Sequence, residues 1–176
     1  MKILLAIIIT ATLSLGCAML EGEQTTTDSV GGGTTSAPTT LAPAVASWSG
    51  TKQLGTSDSD HDNGIATNSS GNVYINGFTL GGLDSNINVG ASDIFVVKYD
   101  SVGAKQWTQQ LGSTSDDDAN GIATDSSGSV YVTGSTYGGL DGNTSAGMQD
   151  FFVVKYDSGG VKQWTKQLGT SSFDIA

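Results

Sequence analysis

The chain has 176 residues, 17 of them acidic against 7 lysines, one histidine, and a formal net charge of −10. So few phosphate-neutralising cations exclude a nucleic-acid partner, and a single cysteine, Cys17, excludes an internal disulfide. The 25 glycines, with Ser, Thr, Asp and Asn, alternate with Val, Ile, Tyr, Phe and Trp, a mixture of turn formers and strand formers that predicts an all-β chain.

Met1–Lys2 supplies a short positive start, and Ile3–Leu15 is an apolar run of 13 residues ending just before Cys17. A bilayer span needs roughly 20 apolar residues, so the run reads as a cleavable export signal over residues 1–16. The placement of Cys17 after Ser14-Leu15-Gly16 resembles the lipobox of bacterial lipoproteins, in which the cysteine thiol takes a diacylglycerol and cleavage precedes the Cys. The pattern is relaxed, because Leu13 stands four residues before the cysteine, where lipoproteins place Leu three before. The other possibility is an ordinary signal peptide cut near Gly16–Ala18. On the lipoprotein reading Cys17 is the lipid-attachment residue, and the chain is held at a membrane of the cell envelope. Residues 17–46 then form a lipidated N-terminus and tether. Glu21–Ala46 is low in complexity, without apolar period, and about 26 such residues reach roughly 25–30 Å.

From Trp48 onward the chain repeats itself at a fixed spacing of 57 residues: Gly55 and Gly112, Gly64 and Gly121, Asp93 and Asp150, Trp107 and Trp164. A period of this size marks propellers, solenoids or arrays. Each copy predicts four strands: Gly64–Asn68, Asn72–Thr79, Asp93–Asp100 and Ala104–Gly112, then Gly121–Asp125, Ser129–Thr136, Asp150–Asp157 and Val161–Gly169. In the third strand Phe151 and Val153 share one face, while Phe152, Val154 and Tyr156 share the other. A strand apolar on both faces lies between two sheets. Small four-stranded sheets stacked face to face are propeller blades. The prediction is a partial β-propeller of about two blades over residues 47–176, with blades at 64–112 and 121–169.

The stretches GIATDSSGSVYVTG and FFVVKYDSGGVKQWTKQLG resemble the bacterial beta-propeller repeat (SBBP) family of secreted and surface proteins. The resemblance covers roughly Trp48–Ala176 and implies one such unit per blade, without implying a common activity. Trp48–Gly55 (WSGTKQLG) resembles an orphan fourth, outer strand, and residues 170–176 match the start of a third repeat. Propellers close with about 4–8 blades, so the pattern predicts either part of a longer protein or a short chain that self-assembles to complete a ring.

For chemistry, the acidic stretches Asp58, Asp60, Asp62 and Asp116, Asp117, Asp118 precede a glycine, as the carboxylates of Ca²⁺ loops do. They depart from the EF-hand pattern, since Gly64 falls seventh and Ser69 twelfth. They are weak Ca²⁺ candidates against the alternative of Asx turns on solvated loops. The Gly-Leu-Asp triplets at 82–84 and 139–141 belong to long loops expected at the same rim. His61 has no second histidine to complete a metal site or triad. Trp107 and Trp164 recur once per repeat and read as core rather than as sugar-stacking platforms. The expectation is therefore a non-enzymatic binding or structural module with a protein or glycan ligand and no cofactor. The alternative is a fragment of a propeller lyase or hydrolase acting on polysaccharide.

Overall fold

The computed structural model describes Trp48 and residues 50–174. The expected export signal, Cys17 and the tether lie outside the described residues. The fold is all-β, with two four-stranded antiparallel sheets in simple meander order. The first contains β1 (Asp60–Thr67), β2 (Val73–Thr79), β3 (Asp93–Tyr99) and β4 (Lys105–Leu111). The second contains β5 (Asp117–Thr124), β6 (Val130–Thr136), β7 (Asp150–Tyr156) and β8 (Lys162–Leu168). These are the two expected blades. Tight turns join β1 to β2, β3 to β4, and their counterparts. In each, a glycine with positive φ ends the turn, such as Gly103 (φ 79°) and Gly160 (φ 86°).

Register separates each sheet into two faces. Ile75 pairs with Val97 and Val73 with Tyr99, so these side chains share what we term the front, while Tyr74, Asn76, Ile94 and Val96 share the back. The back of the first sheet, carrying Tyr74, Ile94 and Val96 with Trp107 and Leu111, packs on the front of the second. That front contributes Ala119, Val130, Val132, Leu140, Phe152, Val154 and Tyr156, with Ile122 beside them. This seam is the main core. Strand β3, apolar on both faces, is buried at every position but Lys98, because its front side chains Phe95, Val97 and Tyr99 form a second cluster with Leu83. Leu54 joins that cluster, and Trp48 packs on Tyr99 at 5.6 Å between ring centroids, as Trp107 packs on Tyr156. The N-terminal segment thus stands where the fourth strand of a preceding blade would, although its Trp is offset by two residues from the repeat.

The first strands differ from expectation. They begin at Asp60 and Asp117, four residues before the predicted Gly64 and Gly121. Asp60 pairs with Thr79 and Asp117 with Thr136, and each ladder passes a bulge, between Asp62 and Gly64 and between Ala119 and Gly121. Acidic residues and Asn favour turns locally, but here the partner strand supplies the backbone hydrogen bonds, and the bulge absorbs the extra residue, Asn63 or Asn120. Most of both acidic stretches therefore lies in strands rather than in loops.

Candidate functional site

The rim that carries the acidic candidates is the end where β2 leads into β3 and each blade passes to the next. The expected sharing of this rim is observed. The Asp117 amide donates to the Ser92 carbonyl at 2.9 Å, the Leu80 amide to Ser59 at 2.9 Å, and the Tyr137 amide to Asp116 at 3.0 Å.

The acidic candidates are engaged one by one. The Asp60 carboxylate accepts from the Thr56 amide and from the Thr79 hydroxyl, both at 2.6 Å. Burial opposes its ionisation, but the Thr56 amide and the two threonine hydroxyls prevail and hold it below the usual carboxylate range. Its counterpart Asp117 is buried and accepts from the Ser113 amide. Burial pushes that carboxyl up, and the nearby Asp93 carboxylate adds to the shift. The same arrangement recurs at Asp174, which accepts from the Thr170 amide at 2.6 Å. One carboxylate per repeat thus clasps the turn four residues upstream.

Asp116 and Asp118 both take the Ser92 hydroxyl, at 3.2 and 3.4 Å. Burial raises the Asp118 carboxyl, with Asp116 contributing like charge. Asp58 and Asp62 are exposed. Among the described residues, no three acidic, histidine or cysteine side chains converge into a group that could hold a metal ion. His61 stacks on Phe78 at 4.8 Å and 24° instead of joining the carboxylates.

The Gly-Leu-Asp triplets serve the blade. Leu83 and Leu140 are buried plugs within short 3₁₀ turns. Asp84 and Asp141 adopt left-handed backbone (φ 52° and 55°) and form ion pairs with Lys105 and Lys162 at the start of the fourth strands. In both, burial opposes ionisation, and the lysine hydrogen bond leads the groups that bring the carboxyl below its ordinary value. The loop between second and third strands therefore folds back over its own sheet rather than standing free in solvent.

The residues that sequence reasoning missed are Asp93 and Asp150. Both are fully buried at the start of the third strands. Asp93 Oδ2 accepts from the Val89 amide at 2.9 Å and from Gln110 Nε2 at 3.0 Å. Gln110 also receives the Leu83 amide at 2.9 Å and donates to the Gly81 carbonyl at 3.1 Å. Asp150, Gln167, Ala146 and Leu140 repeat this network bond for bond. The signal was present: Asp at the head of the third strand and Gln-Leu-Gly at the end of the fourth recur at the 57-residue spacing.

The chemistry of this rim is thus mostly internal, with carboxylates satisfying loop amides that would otherwise be buried without partners. What it offers outward is a row of exposed acceptors, including Asp58, Asp62 and Asp116.

Comparison with known proteins agrees with the architecture. Over 168 residues the chain is 32% identical to the regulatory protein FlaEY of Caulobacter vibrioides, covering 88% of this chain and 17% of that protein. It is 33% identical over 103 residues to an uncharacterized WD repeat-containing protein of Acanthamoeba polyphaga mimivirus, covering 49% of this chain and 7% of that protein. The chain therefore spans less than a fifth of the length of either relative. Residues 106–141, from β4 through β5 and β6 to the following 3₁₀ turn, match the family model described as beta-propeller repeat.

Proposed function

We propose that the chain is an exported, lipid-anchored protein of the bacterial envelope whose β-propeller repeats act as a non-enzymatic binding or structural module. The observation that carries the module reading is the equivalence of the blades. Asp60 and Asp117 clasp upstream turns, Asp93 and Asp150 hold the Gln110 and Gln167 networks, and Asp84 and Asp141 pair with Lys105 and Lys162. A catalytic site distinguishes one copy from another; these acids do the same structural work in each. The exposed acceptors of the rim then suit a protein or glycan ligand that donates hydrogen bonds. Export and anchoring rest on the apolar run Ile3–Leu15 ending at Cys17, followed by a low-complexity spacer. The acyl chains of a lipoprotein cysteine would give the stable attachment that one chain does not.

The anchor is tested by growing cells with a tagged fatty acid. The wild-type protein is expected to take the label and the Cys17→Ser variant to lose it. Labelling that persists in the variant refutes the assignment.

A further inference from the structure

The seam between the blades is a template, because the 57-residue spacing gives each side chain in it an equivalent elsewhere. The back of the second sheet presents Tyr131, Phe151, Val153, Trp164 and Leu168 where the back of the first presents Tyr74, Ile94, Val96, Trp107 and Leu111. Tyr74, Ile94 and Val96 are fully buried in the seam, whereas Trp164 is 38% and Leu168 65% exposed. At the opposite face, Ile75, Phe95, Val97 and Tyr99 line a cavity of about 270 Å³. Their equivalents Val132, Phe152, Val154 and Tyr156 receive the neighbouring blade. Ile65, which pairs with Ile75 and whose equivalent Ile122 packs at the seam, is 68% exposed.

We propose that a second copy of this chain docks head to tail, the back of its second sheet on the front of the first, in the geometry of the internal seam. The polar contacts carry over as well. Within the chain, Lys98 Nζ and Trp107 Nε1 cross the seam to the Ser158 carbonyl at 2.8 and 3.3 Å. Between copies, Lys155 and Trp164 take those roles towards the Ser101 carbonyl. Such an interface is heterologous, so it closes a ring or continues as a fibre. With about 4–8 blades in a propeller, closure takes roughly two to four copies.

Residues 48–54 set the condition for docking. Trp48 lies against Tyr99 and Gly103 as Trp107 lies against Tyr156 and Gly160. The segment therefore occupies the place that β8 of the incoming copy needs. Among the described residues, no backbone hydrogen bond ties 50–54 to the sheet, and the segment is held by the side chains of Trp48 and Leu54. It acts as a strap that competes with assembly.

This inference rests on the propeller-module reading and is independent of the lipid anchor, whose own test is fatty-acid labelling. The experiment is sedimentation velocity on the full chain in detergent, over about 1–100 μM, with Leu168→Glu, Lys155→Glu and Trp48→Ala alongside. Wild type is expected to shift with concentration to species of two to four copies. Leu168→Glu and Lys155→Glu, both outside the internal seam, are expected to remain single, and Trp48→Ala to associate at several-fold lower concentration. Circular dichroism confirms that each variant is folded, and Lys155→Glu carries the test if Leu168→Glu is not. A wild type that stays single overturns the proposal. So does association that is equal in all variants, which would belong to the apolar N-terminus, or a Trp48→Ala variant that associates less.

Discussion

Asp93 and Gly112 offer a test of how the blade is held together. Asp93→Ala removes two charge-assisted hydrogen bonds, from the Val89 amide and Gln110 Nε2, each worth about 1.5–3 kcal/mol. Part of that loss is offset, because Asp93 Oδ1 is buried without a partner and its desolvation cost disappears with it. The net expectation is a destabilisation of about 2–4 kcal/mol. Gly112→Ala acts on the same carboxylate from the other side: a Cβ there would sit 1.9 Å from Asp93 Oδ1 and 2.3 Å from its Cγ. Asp93 would have to move and break the same bonds, at a similar cost. In the Asp93→Ala background the clash is gone, so the added Gly112→Ala should cost under about 1 kcal/mol. The double-mutant cycle should therefore show a coupling of about 2–3 kcal/mol. Thermal unfolding followed by tryptophan fluorescence reads it, each single variant melting about 8–15 °C below wild type. Additivity to within about 0.5 kcal/mol would refute the argument that this glycine exists to accommodate the carboxylate.

Two further outcomes follow from the loops. Asp125 is held at about 2 chiefly by the Ser127 hydroxyl, with the Ser129 amide, the Tyr131 phenol and the Ser127 amide assisting. A lowered carboxyl contributes stability that is present above its ordinary 3.8 and lost as pH falls towards about 2. Asn68 makes the same turn in the first blade, accepting from the Ser70 and Asn72 amides at 3.1 Å. Asp125→Asn should therefore fold normally and flatten the fall in melting temperature between pH 4 and pH 2; an unchanged slope would assign that fall elsewhere. For the acidic stretches, millimolar Ca²⁺ should give neither calorimetric heat nor a shift in melting, since Asp60 and Asp117 are spent on loop amides; a shift of several degrees would restore them as ligands.

The sequence by itself determined the period, the number of strands per blade, their order and their turns. Those features are local: the alternation of Phe152, Val154 and Tyr156 against Phe151 and Val153, and the glycines that end the turns, need no distant partner to be read. It also set the equivalence of the two blades. The tertiary structure decided the fate of the polar residues. Asp60 and Asp117 look like loop residues until Thr79 and Thr136, both 19 positions away, draw them into strands. Asp93 is unremarkable in a list of acids until Gln110 and Gly112 close around it. Trp48 stands out of step with the repeat by two residues, yet its ring reaches Tyr99 and Gly103 because an unpaired segment can shift where a laddered strand cannot. A buried carboxylate is defined by what satisfies it, and those partners come from other strands, beyond the reach of any local pattern.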